Sequence, residues 1–419
     1  MPAYTLDTAP ALWYYYISYF VILQVKNREI FIGGKNFMQT NREKYKNYVK
    51  NGGQMFASPQ IGAGAGFDTK LAGKEWISET TTEDLKKACA KFNMTPLYNF
   101  GMIDLCSLIP HECRWENLKN EEKGNRRYYE NRLHIGKYHL DVFSMEEKIK
   151  GGFQTKYLIT DESELFILDY YLDRLTEVTD YSPVVEHVKN CRAAAGENEA
   201  VDIQWAMQPY ELFCFADTMN TAIFAAEHRD LFIKMMDKVQ KIDEKLIKAV
   251  ALGGGDFIFL GGPGSEMISP KYYEDFIVPY SKSVTKAAHK ENLLVYSHIC
   301  SPIEPMLTLG YYNEMGIDLF ETLSPPPVGN IKSLDDVFMK LSPDICTRGN
   351  IGLDSLLLRS PEEIRDIAAN IVETAKKHNR KHILAASDYL FYDIPEENVR
   401  AMCDACHSVQ SVRIGDRVF

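Results

Sequence analysis

The sequence predicts an α/β fold, a (β/α)8 TIM barrel with an inserted α+β segment between early strands, and three observations point to it. Short β-rich runs recur from about Asn41 onward, there are eight of them, and amphipathic helical stretches lie between them. Strands of four to eight apolar residues, each followed by a helix, belong to a parallel sheet covered on its outside. A count of eight favours closure of that sheet, while an open doubly wound sheet shares the same periodicity.

In chain order the candidate strands are Gln54–Ile61, Pro96–Gly101, Asp202–Met207, Asp256–Leu260, Leu293–His298, Ile317–Glu321, Ile345–Gly349 and Ile383–Ser387. Two of the helices between them carry explicit start signals. Ser269-Pro270 precedes KYYEDFIVPYSKSVTKAAHK, and Ser360-Pro361-Glu362-Glu363 precedes IRDIAANIVETAKKH. A hydroxyl N-cap ahead of proline suits the first helical turn, where a missing N–H costs nothing. Between the second and third strands runs an interruption at about 105–200, with alternating pieces at Tyr138–Phe143 and Gln154–Ile159 and a helix at Glu162–Arg174. Its apolar residues are too few for a core of its own, so it reads as an insertion packed on the barrel. The expected organisation is thus one barrel domain over 38–419.

The first 37 residues stand apart. Pro10–Val25 is almost continuously apolar and aromatic, yet shorter than the roughly 20 residues of a spanning helix and without a preceding basic region. It fits neither anchor nor signal peptide. Gly33-Gly34 just before Met38 is what a ribosome-binding element would encode if read in frame, so 1–37 is expected to be a non-native leader or disordered extension.

Composition narrows the partners. With 25% charged and 45% hydrophobic residues the chain is ordinary globular material, which excludes collagen-like, coiled-coil and disordered classes. A formal charge of -11 without any Lys/Arg block repels a phosphate backbone, so nucleic acid is not expected as a partner, and neither is a membrane. Nine cysteines, odd in number and unevenly spaced, read as reduced thiols of a cytoplasmic protein.

Barrel chemistry sits at the C-terminal ends of strands and in the loops that follow. The run LLVYSHIC ends in His298-Ile299-Cys300, and the two-residue repeat of a strand points His298 and Cys300 the same way. Imidazole and thiolate are preferred zinc ligands, although a buried Cys beside a hydrogen-bonded core His gives the same string. Asp388 follows the last strand and Glu321 ends the Ile317 strand. Either carboxylate would complete a metal site or act on substrate, against the plainer readings of a turn residue and a buried ion-pair partner. Arg348-Gly349-Asn350 would position an anionic group or bracket its loop, and Cys346 is expected to face the core.

The strings GDFIFLGGPGSEMISPKYYEDFIVPYSKSV, HIC, GIDLFETLSPPPVGN, RGNIG and ILAASDYLFYDIPEENVRAM, over roughly Gly254 to Met402, resemble the uroporphyrinogen decarboxylase superfamily, and its corrinoid-dependent methyltransferase branch more than the haem-pathway decarboxylase. The resemblance implies a (β/α)8 barrel and a zinc site of His-x-Cys plus a third Cys after the last strand. The first two map to His298 and Cys300. The third falls at Asp388, an oxygen donor in place of sulfur. The resemblance further implies a corrinoid carried by a partner protein and a small methylated substrate, with Glu321 orienting substrate or helping to protonate the leaving group. Demethylation of the substrate onto the corrinoid is the favoured direction, since nothing singles out a thiol or pterin acceptor. The haem-pathway enzyme carries an Arg-Gln-Ala-Gly-Arg signature for its polycarboxylate substrate, whereas the equivalent stretch here reads QMFASPQIGAGAGFDT, so a uroporphyrinogen-type decarboxylase is the runner-up. Two further readings are a catalytically silent barrel acting as an interaction protein, which the Asp388 replacement supports, and a haem protein using Cys403-Asp404-Ala405-Cys406-His407.

Overall fold

In the computed structural model, which describes residues 39–411 except Ala63 and Ala206, alternation of side chains along short strands builds a sheet with two different faces. Eleven strands follow one another: β1 (Leu97–Phe100), β2 (Cys113–Lys123), β3 (Arg126–Ile135), β4 (Tyr138–Glu147), β5 (Gly151–Lys156), β6 (Ala200–Gln204), β7 (Phe257–Gly261), β8 (Leu294–His298), β9 (Leu319–Thr322), β10 (Cys346–Ile351) and β11 (His382–Ala386). Seven form a curled, all-parallel sheet in the order β1-β6-β7-β8-β9-β10-β11. Each of these seven overlaps a strand read from the sequence, with ends displaced by up to three residues. The eighth, Gln54–Ile61, is reduced to a parallel bridge between Ala57 and Leu384. The Ser58 N–H donates to Leu384 O (2.9 Å), the Leu384 N–H to Phe56 O (3.1 Å) and the Thr95 N–H to Ala57 O (3.1 Å). Pro59 has no N–H with which to extend this pairing.

Residues on the outer face, such as Val201, Ile203, Ile258, Leu260, Val295 and Phe320, join the large core beneath the covering helices. The alternate residues form a separate inner cluster of Phe56, Ala200, Phe257, Phe259, Leu294, Tyr296, Leu319, Cys346 and Ile383. The helix Asn41–Asn51 closes the N-terminal edge of that inner face. It starts at Thr40 with a capping box to Glu43 and buries Tyr45, Tyr48 and Val49 in the inner cluster. The helix Pro361–Lys377 begins as its sequence signal requires, Ser360 accepting from the Glu363 N–H with the reciprocal bond also made.

Residues 113–156 form an antiparallel four-stranded sheet, β2-β3-β4-β5. Its inward residues Leu133, Ile135, Leu140 and Val142 share the large core with the parallel sheet. Its outward face is tied by cross-strand ion pairs, Arg132 to Asp141 at 2.7 Å and Lys119 to Glu130 at 3.1 Å among them. The reading of all nine cysteines as reduced thiols needs correction here: Cys106 and Cys113 form a disulfide across a short 3-10 turn. A spacing of seven residues does not reveal that pairing until the turn brings the two Cα atoms to 5.1 Å. The run Pro10–Val25, with the expected leader 1–37 and the start at Met38, lies outside the described residues. No helix among the described residues is long and apolar enough to cross a membrane.

Candidate functional site

Strand register assembles the first part of the site. His298 of β8 pairs with Glu321 of β9, and Glu321 pairs with Arg348 of β10, so three ionisable side chains stand in a row on the inner face. His298 Nδ1 lies 2.7 Å from Glu321 Oε1, and Arg348 Nη1 donates to Glu321 Oε2 at 2.9 Å. Arg348 Nε in turn donates to the Ser58 carbonyl at 3.0 Å. Burial alone would push the Glu321 carboxyl up, but Arg348 and His298 hold it below its ordinary value. Burial likewise opposes a charged imidazole, yet hydrogen bonds to Asp388, Cys300 and Glu321 outweigh it and raise His298 well above the ordinary value. Both oxygens of Glu321 are therefore engaged.

The second part comes from two loops. Cys300 follows β8, and its loop is pinned by the Thr322 hydroxyl, which donates to the Ile299 carbonyl at 2.6 Å. Asp388 follows β11, where one carboxylate oxygen accepts from the Tyr389 N–H at 2.7 Å and lies 3.4 Å from His298 Nε2. Burial would raise the Asp388 carboxyl; His298, the Tyr389 N–H and Cys300 bring it below its ordinary value. One ligand atom from each of His298, Cys300 and Asp388 lies within 4.8 Å of the others. Phe259 stacks on the imidazole at 5.6 Å and Tyr389 flanks it at 5.5 Å, which fixes the ring plane. The structure thus brings together all four site residues expected from the sequence.

A polar wall beside them was not foreseen. Ser58, Gln60, Asp202 and Gln204 are buried on the β1–β6 side of the sheet beside the half-buried Asn99, whose Nδ2 donates to Asp202 Oδ1. Burial, and then the charge of Glu321, push the Asp202 carboxyl well above its ordinary value. The signal was present as alternation: Ala200, Asp202 and Gln204 share one face, and a strand that carries Asp and Gln on its inner face cannot be lining a purely apolar core.

Other sequence candidates fall elsewhere. Cys346 is buried in the inner cluster, as expected. Cys403 and Cys406 are sealed in the large core by the helix Glu396–Ser411, at 0% and 1% exposure, where no haem can reach them. A second group of ligand-type residues, Glu162, Glu227 and His228, is a surface cluster in which His228 is already paired with Glu162 at 2.6 Å.

Compared with known proteins, residues 171–409 match the family model described as uroporphyrinogen decarboxylase (URO-D). Among curated relatives, the uroporphyrinogen decarboxylase of Geobacter metallireducens is 23% identical over 193 residues, covering 45% of this chain and 52% of the relative. That of Trichodesmium erythraeum is 24% identical over 244 residues, covering 55% and 64%. The chain thus spans about half to under two thirds of the length of the curated relatives it matches. Among solved structures, a methyltransferase from Methanosarcina mazei superposes with a TM-score of 0.62 at 15% identity, covering 89% of this chain and 100% of that one. At that identity the likeness is one of fold.

Proposed function

Because the chain belongs to the uroporphyrinogen decarboxylase family, we propose that the C-terminal edge of its parallel sheet is the active site of a zinc-dependent methyltransferase, moving a methyl group from a small methylated substrate to a corrinoid protein. The observation that carries the reading is the convergence of His298, Cys300 and Asp388 within 4.8 Å. Zinc bonds of about 2.0–2.3 Å place tetrahedral ligands roughly 3.3–3.8 Å apart, so a small contraction suffices. One imidazole, one thiolate and one carboxylate form a chemically suitable set that leaves a fourth position open. Zinc held there would supply a Lewis acid for the departing heteroatom at that open position.

The remaining work belongs to the chain's own side chains. With His298 Nδ1 donating to Glu321, Nε2 is left on the side of Asp388 and Cys300 as the ligand atom, and Arg348 fixes the carboxylate that fixes the imidazole. This assigns Glu321 to positioning His298 rather than to protonating the leaving group. Segment 56–58, which is bonded to β11 and to Thr95, two residues before β1, is in this reading the eighth strand that closes the (β/α)8 barrel. The cobalt of a partner's corrinoid would approach over the open mouth at the strand ends.

The alternative is decarboxylation of a porphyrinogen, the activity named for the curated relatives. Such a polycarboxylate needs free cations. Arg348 on the inner face is spent on Glu321, and segment 56–61 carries no cation. Elemental analysis of anaerobically prepared protein decides between the readings. Wild type is expected to hold about one zinc per chain, and His298→Ala and Cys300→Ser to lose it. A metal-free wild type that decarboxylates a porphyrinogen equally well with His298→Ala would overturn the methyltransferase reading.

A further inference from the structure

Two clefts flank the segment Ile331–Ser333, which follows the proline run after β9 and leads into the helix Leu334–Lys340. Neither is lined by a residue of the metal cluster or of the inner apolar cluster, and both open among the helices that cover the sheet. The first, of about 350 Å³, lies between the helices Glu304–Thr308 and Leu334–Lys340. Its charges cancel. Lys340 pairs with Glu304 at 2.6 Å, and the Lys332 ammonium is offset by the Asp336 carboxylate on the same lining.

The second cleft, of about 320 Å³, has a different balance. One wall is the helix Pro361–Lys377, whose positions 367, 370, 371 and 374 lie three and four residues apart and so share a face. That face carries apolar Ile371 beside polar Asn370 and Thr374. The helix Leu353–Leu358 adds Ser355, buried Ile331 adds a second apolar surface, and exposed Lys332 stands at the rim. The side chains of Lys332, Ser355, Asn370 and Thr374 have no hydrogen-bond or ion-pair partner among the described residues. The carboxylate bordering this cleft, Asp335, is already answered by Lys377 at 2.8 Å and His378 at 2.6 Å. Among the described residues of the lining, Lys332 is therefore the charge without a counter-charge.

Each lining group selects a part of a ligand. An ammonium on a flexible stem holds an anion as a point charge. Two hydroxyls and a carboxamide both donate and accept, which is what ligand hydroxyls require. Ile331 and Ile371 suit a C–H face, and small-molecule sites start at about 300 Å³. We propose that this cleft is a binding site, separate from the metal cluster, for a small hydroxylated anion of monosaccharide size, a sugar phosphate or a sugar acid. The site stands whether or not the mouth of the sheet transfers methyl groups.

Four probes separate the chemistry in calorimetric titration of the full chain: glucose 6-phosphate, gluconate, uncharged glucose and inorganic phosphate. At least one of the first two is expected to bind about tenfold or more tightly than glucose and than inorganic phosphate, and which one does so tells the phosphate from the acid. Lys332→Gln and Asn370→Ala are each expected to weaken it about fivefold or more while melting with wild type, since both side chains are exposed and unpaired. Lys340→Gln, in the neighbouring cleft, is expected to leave the affinity unchanged. Hydrogen exchange with the bound probe should gain protection over 331–335 and 367–374. Four results would each overturn the site: neither hydroxylated anion binds; glucose binds as tightly, so that the charge is idle; inorganic phosphate binds as tightly, which means an adventitious ion only; or binding survives both variants with protection at 298–300 and 387–389, which places the probe in the mouth instead.

Discussion

Glu321 is fully buried and yet ionised, a state that survives only because each oxygen has its own cationic or imidazole partner. Removing one member of such a pair leaves the other's charge stranded, which typically costs about 3–5 kcal/mol, whereas replacing both with apolar groups is often near neutral. Glu321→Gln is therefore expected to destabilise the protein by several kcal/mol in urea unfolding, with Arg348 left uncompensated. The double variant Glu321→Leu with Arg348→Leu is expected to recover much of the loss while still disturbing His298. A single variant that loses less than about 1 kcal/mol would show that Arg348 has another counter-charge. His298, Cys300, Asp388 and Glu321 were all readable as strand-end residues. Their mutual arrangement was not, because register between β8, β9 and β10 is a property of three segments at once. Gln60 and Asp202 were passed over because a lone Gln or Asp in a strand run carries no chemical signature until its face is known.

Between elements, steric fit decides more than propensity. The helices Ser182–Ala195 and Arg229–Gly253 approach so closely that a Cβ on Gly253 would sit 2.5 Å from Val188 Cβ and 2.8 Å from the Val185 carbonyl. Propensity alone would make Gly253→Ala stabilising by about 1 kcal/mol. Overpacking against a backbone oxygen costs about 1–3 kcal/mol, so the expected sign is a net loss, read as a lower urea midpoint. An unchanged or higher midpoint would mean that the helix pair slides apart freely. The same contrast explains which elements the sequence revealed. Strands buried on both faces, such as β6 and β8, announce themselves as short apolar runs. The hairpin of β2 and β3 does not, because NLKNEEKGNRRYYENRL is mostly polar, buries few apolar side chains such as Tyr129 and Leu133, and is held by cross-strand pairs such as Arg127 with Glu122 at 2.9 Å. Segment 54–61 was readable as apolar and extended, but Pro59 limits how much ladder it makes.

At the scale of the whole molecule, burial raises several carboxyls among the described residues, and this gives stability an unusual pH profile. Burial pushes Asp68 and Asp104 up to about 6 and Glu211 up to about 7, and it carries Asp202 and Asp243 well above the ordinary range. A carboxyl with a raised folded-state pKa keeps its proton where the unfolded chain has already released it. Its contribution is complete below the unfolded value and is lost as the pH rises through the folded one. His382 works the other way. Burial pushes it down to about 4, with Nε2 against the Gly349 carbonyl at 2.9 Å and Nδ1 against the Thr347 hydroxyl at 2.8 Å, so its contribution is present above the unfolded value and lost as the pH falls towards 4. Between about pH 5 and pH 7 the carboxyls prevail, and each extra proton bound by the native state is worth roughly 1.4 kcal/mol per pH unit. The urea midpoint is accordingly expected to be higher near pH 5.5 than near pH 8, and to fall only in stronger acid, once paired carboxylates such as Asp256 with Arg192 are protonated. Glu211→Gln should flatten the upper part of that slope, and His382→Asn should steepen it. A midpoint that falls steadily from about pH 8 to pH 5 would mean that these acids find counter-charges or water in solution, and the polar interior described for β6 and its neighbours would need to be redrawn.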